Sequence, residues 1–308
     1  MGLLSLFMRK KQQPFERMLT EPATSVMQPS SQDVPLQPKK TWKKLALILP
    51  GGGARGAIEV GGLKTLWRYN LIPDVIIGSS VGSITSAAIA SGRTPGEVEK
   101  IWLTFSKDML LPMNYRIFWE LKKTKSLART VNLKKVLNYS VKSDYFEECK
   151  IPLYIIVTRL SDGEGVYFNK GPIRDAVLAS MAVPPHYPPH LIDNIKYVDG
   201  SISGVNGIKK AVELGCDAIL ILNCYNTSKR YDFDGILDVT SHSLDLMFNK
   251  NMLREIDLCA SPFGNTQIFL VRVPDLNIDT VDFSKTRELI QLGEEKTEEL
   301  LRQRNIIR

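Results

Sequence analysis

The chain has 308 residues, 44% of them hydrophobic and 24% charged, a length and balance that suit one compact core and exclude a disordered, collagenous or disulfide-stapled polypeptide. Its longest apolar stretches are short strand-like runs such as 45–49 and 218–222, far below the roughly 18 residues that a membrane-spanning helix needs. The net charge of +7 is concentrated: residues 1–44 hold 8 Lys and Arg against 3 Asp and Glu, residues 107–135 hold 8 against 2, and the remainder is mildly acidic at 24 against 28. That distribution argues against nucleic acid as a partner and for weak, transient attraction to an anionic membrane surface.

Residues 1–40, rich in Gln, Pro, Ser and Thr and without sustained periodicity, read as a flexible basic extension, which leaves 41–308 as the folded domain. The run from Leu3 to Met8 is too short for a secretory leader, and its basic cluster Arg9, Lys10 and Lys11 follows the run instead of preceding it. Leu6 stands where a myristoylation pattern requires Ser or Thr. Beyond Trp42, strand and helix patterns alternate, the mark of an α/β fold with a mostly parallel central sheet sandwiched by helices. Strands are predicted at Leu45 to Leu49, Val75 to Ile77, Pro152 to Val157, Val166 to Phe168, Lys196 to Val198, Ala218 to Leu222 and Gln267 to Val273. Helices are predicted at Ala57 to Tyr69, after Gly82, at Val205 to Leu214 with Gly215 as its stop, and at Lys285 to Gln303. Asp162 and Gly163 signal a hairpin turn. Met109 to Lys125 mixes apolar residues at helical spacing with a basic rim; it suits either an interfacial helix or a helix packed across the sheet. The four cysteines, Cys149, Cys216, Cys224 and Cys259, form no CxxC pair and read as reduced thiols, so a cytoplasmic location is expected.

Three constellations carry chemistry. Gly78, Ser79, Ser80, Val81 and Gly82 form GxSxG between a strand and a small-residue helix, the context of a nucleophile elbow, and the register selects Ser80 as nucleophile with Gly78 and Gly82 as the bending residues. Gly51, Gly52, Gly53, Ala54, Arg55 and Gly56 form a glycine turn between strand and helix. As a dinucleotide fingerprint this turn lacks the acid that should close the second strand, because Asp74 opens that strand. As an oxyanion hole, its successive amides converge on an anion, with Arg55 adding charge or bracing the loop. Asp199 ends a strand before Gly200 and Ser201. His186 and His190 lie in a proline-dense loop that denies them a regular metal-ligating face, and His242 lies in a helical stretch. None of the three histidines has a strong claim as a base, whereas an aspartate can serve a serine directly as a dyad.

GGGARG, GSSVG, ASMAVPPHYPP and VDGS, in that order, resemble the patatin-like phospholipase family from about Leu45 through the closing helix. The resemblance implies a three-layer patatin-like fold, a Ser80 and Asp199 dyad, an oxyanion hole from Gly51 to Gly53 with Arg55 and Gly56, and hydrolysis of fatty-acyl esters such as phospholipids. It implies no metal and no cofactor. Ser201 departs from the Gly or Ala that the family commonly carries after the DG pair, which bears on pocket shape and rate. A noncatalytic lipid-binding relative and an acyltransferase or thioesterase using the same serine stand as alternatives, and the oligomeric state is left open.

Overall fold

The computed structural model describes residues 42–112, 114, 124–225, 235–259, 266–274 and 278–307. The expected extension at 1–40 lies outside the described residues, as does most of the basic 109–125 stretch. In chain order the elements are β1 (Leu45–Leu49), α1 (Ala57–Arg68), β2 (Val75–Gly78), α2 (Val81–Ala90), α3 (Pro95–Trp102), α4 (Lys107–Leu110) and α5 (Val131–Ser140). There follow β3 (Leu153–Arg159), β4 (Gly165–Phe168), α6 (Ile173–Ser180), β5 (His190–Ile192), β6 (Ile195–Asp199), α7 (Ile208–Glu213), β7 (Ala218–Leu222), α8 (Ile236–Cys259), β8 (Gln267–Val271) and α9 (Thr286–Gln303).

The sheet runs β5-β6-β3-β2-β1-β7-β8, with β4 also on β3. The pairs from β3 through β2, β1 and β7 to β8 are parallel, while β4, β5 and β6 pair antiparallel. The alternation of a strand sends Leu45, Leu47 and Leu49 to one face and Ala46 and Ile48 to the other. The first face packs on α1, α2, α3, α5, α6 and α9. The second packs on Ile208 and Ala211 of α7 and Phe248 and Met252 of α8. Both faces of the parallel strands are therefore covered, which is why β1 and β7 are apolar at every position. The chain enters the sheet tied by carboxylates: Asp217 accepts the N–H groups of Lys43 and Lys44, and Asp74 accepts that of Leu45. Asp74 is thereby a structural anchor.

One feature of the register sets up the site. Ile155 of β3 pairs with Gly78 on one edge and Phe168 on the other, while Val157 pairs with Asp199 and again with β4, through Val166. β2 and β6 thus share one edge of β3 and run toward each other along it, ending opposite residues 155 and 157.

Two predicted elements change. The helix expected from Val205 shortens to Ile208–Glu213, because Gly204 and Gly207 adopt φ of 78° and 89° and hold the preceding residues in a turn. The proline-dense loop ends in a short edge strand, His190–Ile192, that its composition did not signal. The Asp162 and Gly163 turn does join an antiparallel pair, β3 and β4.

Candidate active site

Ser80 sits in the turn between β2 and α2 with φ 51° and ψ −135°, outside the wells that an L-residue prefers. Both flanking glycines are enforced by close approach. A Cβ on Gly78 would lie 2.4 Å from Ser86 Oγ, and one on Gly82 would lie 2.2 Å from the Leu49 carbonyl oxygen. The turn is further pinned by Ser180, whose hydroxyl accepts the Ser80 N–H at 3.0 Å and donates to the Ile156 carbonyl at 2.7 Å. Ser79 is buried, whereas Ser80 lines a pocket.

Asp199, at the end of β6, is fully buried. Its Oδ1 accepts the Ser201 N–H at 2.9 Å, and its Oδ2 has no hydrogen-bond partner among the described residues. Burial pushes the carboxyl up to about 6; the Ser201 N–H and the hydroxyls of Ser80 and Ser201 pull the other way. At neutral pH the group is therefore largely ionised yet basic enough to take a proton. A Cβ on Gly200 would lie 2.3 Å from the Ile156 carbonyl oxygen, so the glycine after the aspartate is required by packing. Ser201 joins a file of hydroxyls, 3.4 Å from Ser79 Oγ and 3.4 Å from the Tyr225 hydroxyl, which donates to the Pro50 carbonyl.

The glycine turn has φ of 83°, 151° and 62° at Gly51, Gly52 and Gly53, a run that only glycine adopts without strain. The structure narrows the expected donor set. The Gly51 N–H is taken by Glu59 Oε1 at 2.8 Å, and the Ala54 N–H by the Thr280 carbonyl at 2.6 Å. Gly52 and Gly53 line the pocket, and neither N–H has a protein acceptor among the described residues. Arg55 is a brace and adds no charge at the pocket: it is 2% exposed and donates to the Cys224 and Ile278 carbonyls and, at 2.5 Å, to Asp245. Gly56 is a packing glycine, since a Cβ there would lie 2.6 Å from Val81 and 2.8 Å from the Trp102 ring.

Above Ser80, Gly52 and Gly53 a pocket opens to solvent, walled chiefly by apolar side chains including Leu111, Met181, Val183, Leu244, Phe248 and Val281. His186 lines it, and burial keeps its imidazole below the usual range. His190 instead bonds Asp175 at 3.1 Å, and His242, on α8, neighbours Asp245. Among the described residues no group of three or more His, Cys, Asp or Glu is placed to hold a metal, and no helix is long and apolar enough to cross a membrane. All four cysteines are free.

Two site residues escaped the sequence reading. Ser180 lay inside the ASMAVPP motif without a role of its own. Glu59 lay unnoticed between Ile58 and Val60, where an acid amid apolar neighbours, directly after a glycine turn with amides to satisfy, was the available signal.

The family model described as patatin-like phospholipase matches residues 47–212. The chain belongs to the patatin-like phospholipase family. It is 27% identical over 161 residues to an uncharacterized NTE family protein of Mycobacterium tuberculosis, an alignment covering 52% of this chain and 43% of that protein. It is 26% identical over 192 residues to Lysophospholipase nte1 of Aspergillus niger, covering 59% of this chain and 12% of that one. The chain thus aligns with less than half the length of these relatives. Among solved structures, VipD from Legionella pneumophila superposes with a TM-score of 0.46 at 14% identity, covering 90% of this chain and 72% of VipD.

Proposed function

We propose that this patatin-like chain is a lipid acyl hydrolase that cleaves fatty-acyl esters through Ser80 and Asp199. The single observation that carries the reading is the convergence of β2 and β6 on one edge of β3, which brings a strained, pocket-lining serine to a buried, unsaturated carboxylate. Asp199 accepts the Ser80 proton as the hydroxyl oxygen attacks the ester carbonyl. The tetrahedral oxyanion takes the Gly52 and Gly53 N–H groups, aided by the positive end of α2. Collapse expels the alcohol, which leaves with the proton from Asp199, and the acyl group stays on Ser80. Water then gives its proton to Asp199, attacks the acyl-enzyme and releases the fatty acid, and the proton returns to Ser80. The apolar pocket suits the acyl chain, which it removes from water at roughly 0.8 kcal/mol per methylene. The substrate is accordingly read as a phospholipid or related acyl ester presented at a lipid surface.

The test is fatty-acid release from a p-nitrophenyl ester and from mixed phospholipid vesicles by wild type, Ser80→Ala and Asp199→Ala, with folding checked by circular dichroism. Loss in both folded variants is expected. Hydrolysis retained by Ser80→Ala overturns the nucleophile, and vesicle binding without turnover by the wild type selects a lipid-binding role instead.

A further inference from the structure

A carboxyl group that this mechanism does not use sits behind the glycine turn. Glu59, in the first turn of α1, is 0% exposed. Its Oε1 holds the Gly51 N–H at 2.8 Å. The same oxygen would lie 2.8 Å from a Cβ on Gly82, so it packs directly against the second glycine of the elbow. The Thr85 hydroxyl of α2 lies close to the carboxyl, and Thr85 Oγ1 is itself fixed by the Trp102 indole N–H at 3.1 Å. Glu59 Oε2 has no hydrogen-bond partner among the described residues. One buried side chain therefore touches both the loop read as the oxyanion hole and the turn that carries Ser80.

We propose that Glu59 is a positioning residue that ties the glycine turn to the nucleophile elbow: by taking the Gly51 N–H it directs the next two amides, of Gly52 and Gly53, into the pocket. The proposal rests on the catalytic reading of Ser80 given above. It has a consequence for pH. Burial pushes the Glu59 carboxyl up to about 8, with the Gly51 N–H and the Thr85 hydroxyl opposing, so at neutral pH it is an uncharged acid whose carbonyl oxygen accepts from Gly51. On ionisation it sets a negative charge behind the two amides that must bind an oxyanion, and like charges in a dry site repel strongly.

The groups around Glu59 leave the titration to Glu59 itself. Cys224, following β7, is held well above the usual thiol range by burial, and Arg55 spends its charge on Asp245. α2 contributes uncharged Thr85 and Ser86. The acids facing α1 from its other neighbours turn to its outer side: Glu99 of α3 and Glu294 of α9 to Lys64, and Glu298 of α9 to Arg68.

The test uses the full chain and three forms, wild type, Glu59→Gln and Glu59→Leu, with kcat and KM for p-nitrophenyl butyrate read across the alkaline range and Ser80→Ala as the inactive control. Wild-type kcat/KM falls about tenfold per pH unit above an apparent value of about 8. Glu59→Gln keeps the carbonyl acceptor without the titration, so it matches wild type at neutral pH and shows no fall. Glu59→Leu loses at least about tenfold in kcat at neutral pH with KM within about twofold, less than the loss of a direct oxyanion donor. A Glu59→Gln profile that still falls as wild type does overturns the proposal, and so does an unchanged kcat in folded Glu59→Leu; if the leucine variant does not fold, the glutamine comparison decides alone. The Gly51 amide resonance in the 15N-glycine-labelled chain reads the contact without any turnover. It must titrate near the same pH in wild type and stay still in Glu59→Gln. If Ser80→Ala remains active, the catalytic reading fails, and the resonance alone supports or overturns the Glu59 contact.

Discussion

Replacing Ser80 with glycine should make the protein more stable than replacing it with alanine, although both changes remove the same hydroxyl. At φ 51° and ψ −135° a Cβ meets its own backbone, and a residue held in such a region stores about 1–3 kcal/mol. Alanine keeps the Cβ and therefore the strain. Glycine relieves it, and returns about 0.5–1 kcal/mol through the greater freedom of the unfolded chain. The surrounding hydrogen bonds are unaffected, because Ser180 holds the residue through its backbone N–H. The net expectation is that Ser80→Gly exceeds Ser80→Ala by about 1 kcal/mol, a shift of about 0.3 M in the urea midpoint for a slope of about 3 kcal/mol/M. Urea titration followed by circular dichroism measures it. Equal midpoints, or alanine the more stable, would mean that the elbow is relaxed and that its geometry does not come from the sheet and Ser180 forcing the turn.

Asp199→Asn should cut turnover by about 10²–10⁴-fold, and the wild-type rate should rise with pH through about 6 as the carboxyl loses its proton. Stability runs the opposite way: the folded state keeps the Asp199 proton up to about 6 where the unfolded chain releases it near 3.8, so wild type loses up to about 3 kcal/mol between those values. Denaturation of the two forms across that window should show the asparagine variant gaining on wild type by about that amount, and parallel curves would refute the assignment. Arg55→Ala should destabilise by about 3–5 kcal/mol, since it strands Asp245, which is 7% exposed, without its partner. Adding Asp245→Asn to that variant should recover part of the loss in a thermal melt, and a double variant worse than the single would show that the carboxylate has another partner.

The sequence was most legible where local chemistry and topology coincide. The elbow could be read because a strand, two glycines and a small-residue helix are contiguous, and the close approaches at Gly78 and Gly82 are the physical reason for that spelling. Asp199 could be singled out as a strand-end acid, but its approach to Ser80 depends on β6 running antiparallel along the edge of β3 that β2 vacates, and pairing between distant segments leaves no mark in either. Arg55 reads from sequence as a charge near an anion site, whereas its partners Cys224, Asp245 and Ile278 follow some 170 to 220 residues later and turn it inward. The pocket wall was hidden for a similar reason: α8 packs apolar residues toward both the pocket and the core, as with Leu244 and Met252, and so shows no single stripe.

Glu59 apart, what grips the glycine turn from behind, the Cys224, Ile278 and Thr280 carbonyls and the Asp245 carboxylate, belongs to chain beyond residue 212, where the family match ends. The same segments supply Leu244, Phe248 and Val281 to the pocket wall. On the catalytic reading, the surfaces that would meet an acyl chain and the struts that act with Glu59 to aim the Gly52 and Gly53 amides are thus one piece of scaffold. A ligand that fills the wall steadies the amides, and one that leaves it half empty leaves them slack, so on the catalytic reading discrimination between chain lengths is expressed in kcat as well as in KM.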